Sequence, residues 1–253
     1  MKLASMVVGL TMIAGVAQAQ TVLATLTAPY APGGTPLVSP YGYYMSPYSG
    51  TVDGGPEYRF NCVDYFHEVA VGQTWTANTT NLGDMLTALQ TNNSSVLDAM
   101  IANTRGGDAL PPGDAVKMYQ EAALLTTMFA TDPGSDPVRS SAIQTAIWTL
   151  TNSNFATTGQ SIGSGASSEN DTGFWVNYAA NNYDNQSSGF YNQFSVLTDV
   201  THATGGTQEF IYATTSTPEP ATLTLFATGL FAVGGVGVKR RRKGLANTVQ
   251  MPV

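Results

Sequence analysis

"SDPVRSSAIQTAIWTLTNSNF", Ser135 to Phe155, is the stretch on which the reading of this chain turns. Asp136 is placed to cap a helix, and Pro137 stands at the first helical position, where a missing N–H costs nothing. Ile143 and Ile147 lie four apart, as do Gln144 and Trp148, so these four cover one broad helix face. An amide beside an apolar face must find a partner or lose its hydration. One reading gives Gln144 the backbone carbonyls of a neighbouring strand. The other gives it a nucleophile, and the chain holds a single cysteine, Cys62 in "RFNCVDYFHEV". On a strand, Phe60 and Cys62 share one face and Asn61 and Val63 the other. A core-facing Cys62 on a strand packed against the helix brings its sulfur near the amide.

Working outward, the elements come as strands, helices, strands. "TVLATLT" from Thr21 alternates and is β-rich, and "APYAPGGTPLVSPYGYYMSPYSG" is an irregular segment or a set of edge strands. "TVDGGPEYRFNCVDYFHEVAVGQTWTANT" carries three more strands, with a turn at Asp53-Gly54-Gly55-Pro56. From Asn81 the period becomes helical: Leu82, Met85, Leu86 and Leu89, then Val96, Leu97, Met100 and Ile101. "PPGDAVKMYQEAALLTTMFATDPG" has both a start and a stop signal. "GQSIGSGASSENDTG" reads as a loop, "FWVNYAANNY" as a short helix or turn, and "FSVLTDVTHATGGTQEFIYAT" as a hairpin turning at Gly205-Gly206. This order predicts an α+β fold: an antiparallel β-sandwich or barrel (β 20–80, then loop and β 156–214) with a helical subdomain (81–155) inserted in the middle.

The ends are of another kind. "MKLASMVVGLTMIAGVAQAQ" has an early Lys2, a short apolar run and Ala17-Gln18-Ala19, the order of a secretory signal peptide over 1–19, with export through the Sec translocon. At the other end, 221–238 is uncharged and long enough for one transmembrane helix, and Lys239, Arg240, Arg241, Arg242 and Lys243 form a basic block. Positive residues stay inside, so 244–253 is expected as a cytoplasmic tail. Pro218-Glu219-Pro220, the apolar span and the basic block, in that order over 217–243, resemble the PEP-CTERM sorting signal. That resemblance implies recognition by an exosortase, an inner-membrane-anchored precursor, removal of the span, and release to the cell surface or an exopolysaccharide matrix. A plain membrane anchor is the alternative.

Between Gln20 and Ser216 stand sixteen Asp and Glu against Arg59, Arg105, Lys117 and Arg139, a formal charge of −12. Such a surface repels nucleic acid and anionic lipid. One cysteine in an exported chain is buried and inert, paired with another chain, or chemically employed. No CxxC, HExxH, GxGxxG or P-loop pattern occurs, and only His67 and His202 are present, so no metal or cofactor is expected. A Cys62–His67 hydrolase pair is disfavoured because residues five apart on a strand face opposite ways and no acid is evidently placed to orient the imidazole. Asp64 and Glu68, as a carboxylate pair, are two acids among many.

"IQTAIW", Ile143 to Trp148, and "NCVD", Asn61 to Asp64, resemble the glutamine and cysteine blocks of bacterial Cys-Gln thioester adhesin domains. The resemblance covers about a dozen residues, and Asn61 stands where that family carries an aromatic residue or leucine. It implies that Cys62 and Gln144 form an internal thioester, that Trp148, Ile143 and Ile147 shield it, and that the module is not an enzyme. It would be a single-use device attaching to an amine or hydroxyl on a surface polymer, matrix polysaccharide or protein. The alternative is a non-covalent matrix or carbohydrate-binding protein of the same fold, with Tyr41, Tyr43 and Tyr44 as stacking surfaces.

Overall fold

The computed structural model describes residues 19–29, 36–38, 42, 44–106, 110–155, 166–187 and 189–214. Residues 1–18 of the expected signal peptide, Tyr41, Tyr43 and everything from 215 onward, the expected span and sorting signal included, lie outside them. No helix among the described residues is long and apolar enough to cross a membrane.

Six strands close an antiparallel barrel: β1 (Gln20–Ala28), β4 (Tyr48–Val52), β5 (Glu57–Cys62), β6 (Thr74–Asn81), β7 (Phe194–Asp199) and β8 (Phe210–Ala213). Their order is β1-β4-β5-β8-β7-β6, and β6 returns to β1 through the register Gln20↔Thr79 to Thr25↔Thr74. Of the two β architectures the sequence allows, the barrel forms, and closure leaves none of the six strands with an unpaired edge. The short β2 (Leu37–Val38) and β3 (Tyr44–Met45) pair separately. Among the described residues five α-helices stand between β6 and β7: α1 (Leu82–Gln90), α2 (Ser94–Ile101), α3 (Pro112–Thr126), α4 (Pro137–Thr151) and α5 (Thr172–Asn182). The inserted helical subdomain is therefore present, and it runs on to α5.

Local chemistry accounts for the boundaries. The Asp136 carboxylate accepts the Arg139 N–H and so caps α4, and the Asn81 side chain does the same for Gly83 and Asp84 at α1. The β4–β5 turn uses left-handed backbone at Asp53 and Gly54 (φ 51° and 66°), which matches the twist of a tight hairpin.

Strand alternation divides the interior into two cores. Val22, Ala24 and Leu26 of β1, Phe60 and Cys62 of β5, Trp75 and Ala77 of β6, Leu197 of β7, and Phe210 and Tyr212 of β8 fill the barrel. Phe210 is its hub, with ring centroids 5.9 Å from Tyr48, 5.5 Å from Phe60 and 6.0 Å from Trp75. A Cβ at Gly50 would fall 2.2 Å from the Phe60 ring, so the strand opposite Phe60 must be bare there. The other faces of β7 and β8, through Val196 and Ile211, carry the helical layer. With both faces covered, β7 is buried along its whole length, which is why its sequence shows little polar alternation.

Helix α4 belongs to both cores. Ile143 and Ile147 pack in the helical layer, whereas Trp148 joins the barrel cluster with Cys62 and Phe155.

Candidate functional site

Strand β5 ends at Cys62, and its side chain alternates inward into the barrel, completely buried. Past that point the chain leaves the sheet, so the carbonyls of Cys62 and Val63 need other partners. Side chains of α4 and its C-cap supply them. The Gln144 Nε2 donates to the Cys62 carbonyl at 2.9 Å, and Thr151 Oγ1 and Asn152 Nδ2 donate to the Val63 carbonyl at 2.5 and 3.1 Å. The Asn152 side-chain oxygen in turn accepts the Tyr65 N–H at 3.2 Å. The helix and its C-cap thus hold the Cys62 and Val63 carbonyls of the "NCVD" turn.

The Gln144 amide is held at both ends. Its Oε1 accepts the Ser46 backbone N–H at 3.2 Å, while Ser46 Oγ accepts the Cys62 N–H at 2.6 Å. Ser46 therefore ties the cysteine and the glutamine together, and all three residues are fully buried. The indole Nε1 of Trp148 donates to Cys62 Sγ at 3.4 Å, and the thiol itself donates to the Asp64 carbonyl at 3.0 Å. Burial pushes the Cys62 thiol up to about 12, against the pull of the indole hydrogen bond, and the Asp64 charge raises it further. The resting sulfur is a thiol.

The first expectation for Gln144, a bond to a strand carbonyl, is met, and that carbonyl is the cysteine's own. Trp148 lies on the sulfur, packed in turn against Tyr65 and Phe155 with ring centroids at 5.0 and 5.7 Å.

A second, charged cluster stands behind the same turn. The Asp64 carboxylate, nearly buried, meets Arg105 Nε at 2.8 Å and His67 Nδ1 at 2.7 Å. His67 is not on a strand, since β5 ends five residues earlier, and an acid does orient its imidazole. The expectation of a strand histidine without such an acid is thereby corrected, because the backbone turns after Cys62 and brings i and i+3 together. His67 nevertheless faces Asp64 and Arg105 and makes no hydrogen bond with the thiol among the described contacts. Arg105 also donates to the carbonyls of His202, Gly205 and Thr207. Glu209, fully enclosed, accepts from Thr198 Oγ1 at 2.6 Å, from the Arg105 N–H at 2.9 Å and from the Tyr119 hydroxyl at 2.7 Å. Burial raises its carboxyl above the ordinary range despite these bonds. Tyr119 of "YQEAA" is thus the peg joining the helical layer to the barrel.

Sequence reasoning missed Ser46, Arg105 and Glu209. Each acts across a long loop and carries no local motif. The one available signal was that charge is scarce here: Arg105 is one of only four cations between Gln20 and Ser216.

Residues 216–243 match the PEP-CTERM protein-sorting motif. That motif marks an exported, membrane-anchored precursor sorted by an exosortase, and its Pro218, Glu219, Pro220 and basic block are the residues read above. No curated protein and no solved structure matches the chain.

Proposed function

We propose that the barrel and its helical layer form a single-use covalent attachment module, displayed on the cell surface or in an extracellular matrix. The Cys62 sulfur attacks the Gln144 side-chain carbonyl carbon. An S–C bond forms, the C–N bond breaks, and the thiol proton leaves with the nitrogen as ammonia. An amine or hydroxyl on a surface polymer, polysaccharide or protein then attacks the thioester, giving an amide or ester and returning the thiol. No turnover follows, so the module is not an enzyme.

One observation carries this reading: the Gln144 amide is clamped between the Cys62 carbonyl and the Ser46 N–H, next to a thiol capped by Trp148. Such holding replaces a bimolecular encounter by a very high effective concentration. The Ser46 N–H lies on the oxygen that gains negative charge as sulfur adds, which is the placement of an oxyanion donor. Ammonia departs from the nitrogen that the Cys62 carbonyl orients. The high thiol pKa makes the first step slow, because the thiolate is the stronger nucleophile and is scarce in a buried site. Complete burial then keeps water from the product.

The second reading, a non-covalent matrix or carbohydrate-binding protein, draws on the same contacts. An amide satisfied at both ends and a buried thiol also make a sound structural joint.

Intact-mass measurement separates the two. The exported chain is expected to be lighter than its sequence by one ammonia, and Cys62 should resist thiol reagents even after unfolding. Methylamine should restore the thiol and leave a methylamide on Gln144. Full mass with a freely labelled Cys62 in the unfolded chain leaves the non-covalent reading.

A further inference from the structure

Trp148 has two neighbours of different kinds. Its Nε1 touches the Cys62 sulfur, and the same side chain lines a cavity of roughly 410 Å³ open to solvent. Four more aromatic residues line that cavity: Tyr44, Tyr48, Tyr65 and Phe66. Tyr44 and Phe66 are each 52% exposed, and Val71 of the same lining is 51% exposed. Large side chains left bare around one opening mark a binding surface rather than a packing accident.

Charge selects the guest. Among the described residues of the lining Glu68 alone is charged, and it makes no ion pair with any of the others described. The surrounding ectodomain adds a strongly negative field. An anion is repelled. A neutral apolar guest covers the rings but strips water from a carboxylate that it cannot pair. A cation gains from both, through the negative π-faces of the rings and the carboxylate at the mouth.

We infer that this aromatic cavity is a binding site for an organic ammonium group, such as the head of a lysine side chain or of an amino polymer. Cation binding stands without the thioester. Its use does rest on that reading: an amine held there, once it gives up a proton to water, is separated from the acyl carbon by the Trp148 indole, so the site favours amine over hydroxyl targets.

Titration calorimetry on the full chain in non-ionic detergent tests this with tetramethylammonium and its neutral isostere, tert-butanol. Tetramethylammonium has no N–H and cannot be acylated, so its binding reports the cavity alone, whereas a butylamine adduct at Gln144 reports the thioester. Tetramethylammonium is expected to bind at least about fivefold more tightly than tert-butanol, to weaken as salt rises, and to weaken about fivefold in Glu68→Gln and in Phe66→Ala. Both changes lie at exposed positions, where folding is tolerant of substitution. Equal binding of the two probes, no binding of either, indifference to both variants, or preference for the neutral sugar maltotriose over the cation would each overturn the proposal.

Discussion

The two polar clusters on either side of the "NCVD" turn are built from opposite materials. Cys62, Gln144 and Ser46 are neutral, fully buried and linked by three hydrogen bonds to backbone groups. Asp64, Arg105, His67 and Glu209 form an ionic cluster that spans the turn, the segment following α2 and the β7–β8 connection. Buried charge is tolerable only when paired and bonded at every position, so a gap in it is severe. A neutral cluster can lose a member for the cost of an orphaned donor or a small void. The charged cluster is therefore the more costly of the two to disturb, and the neutral one the more tolerant of change.

The comparison is broken most directly at Arg105. Arg105→Met leaves the Asp64 carboxylate buried without its strong partner and frees three carbonyls, and should cost about 3–5 kcal/mol of unfolding free energy in a denaturant titration. A loss below about 1 kcal/mol would show that the ionic cluster is ornamental, since that is the range of exposed pairs.

The neutral cluster should respond less. Gln144→Ala strands the Ser46 N–H and the Cys62 carbonyl and is expected to cost about 1–3 kcal/mol. Cys62→Ala removes one soft sulfur and should cost on the order of 1 kcal/mol, in keeping with the small end of core truncations. Both variants should keep the native near-ultraviolet circular dichroism. If either costs as much as Arg105→Met, the pair is a structural joint first.

A pH series sharpens the contrast at its smallest. Burial raises the Glu209 carboxyl above the ordinary 4.5 of a glutamate in the folded state, so the folded chain holds that proton more tightly than the unfolded one. Its stabilising effect is fully present below the unfolded pKa and is lost as pH rises through the folded value. Glu209→Gln should therefore flatten the decline of thermal midpoint above pH 4.5, while Cys62→Ala should leave the slope in the acid range unchanged, because the thiol titrates only near about 12.

The legible parts of this molecule are those written in adjacent residues. Asp136-Pro137 starts α4, Gly205-Gly206 sits in the β7–β8 connection, and alternation alone places Phe60 and Cys62 on one face. The bond from Gln144 to a strand carbonyl was also within reach, because an amide beside an apolar helix face needs a partner and a core-facing strand end offers one. Ile143 and Ile147 show the limit. Periodicity puts them on the face of Gln144 and Trp148, but only the packing of α4 between two cores sends the isoleucines to one and the indole to the other.

The sorting motif over 216–243, the sign of the net charge, the order of strands and helices, and the inward direction of Cys62 are legible in the sequence alone. These follow from turn chemistry, capping and hydrophobic period, which act over a few residues. Tertiary structure decided that the sheet closes into a barrel, that Ser46 reaches both Cys62 and Gln144, and that Asp64, Arg105 and Glu209 share one clamp. These partners are brought together by strand register and by the seating of α4 on the barrel. A buried donor has no local preference for one distant acceptor over another until the backbone places it there.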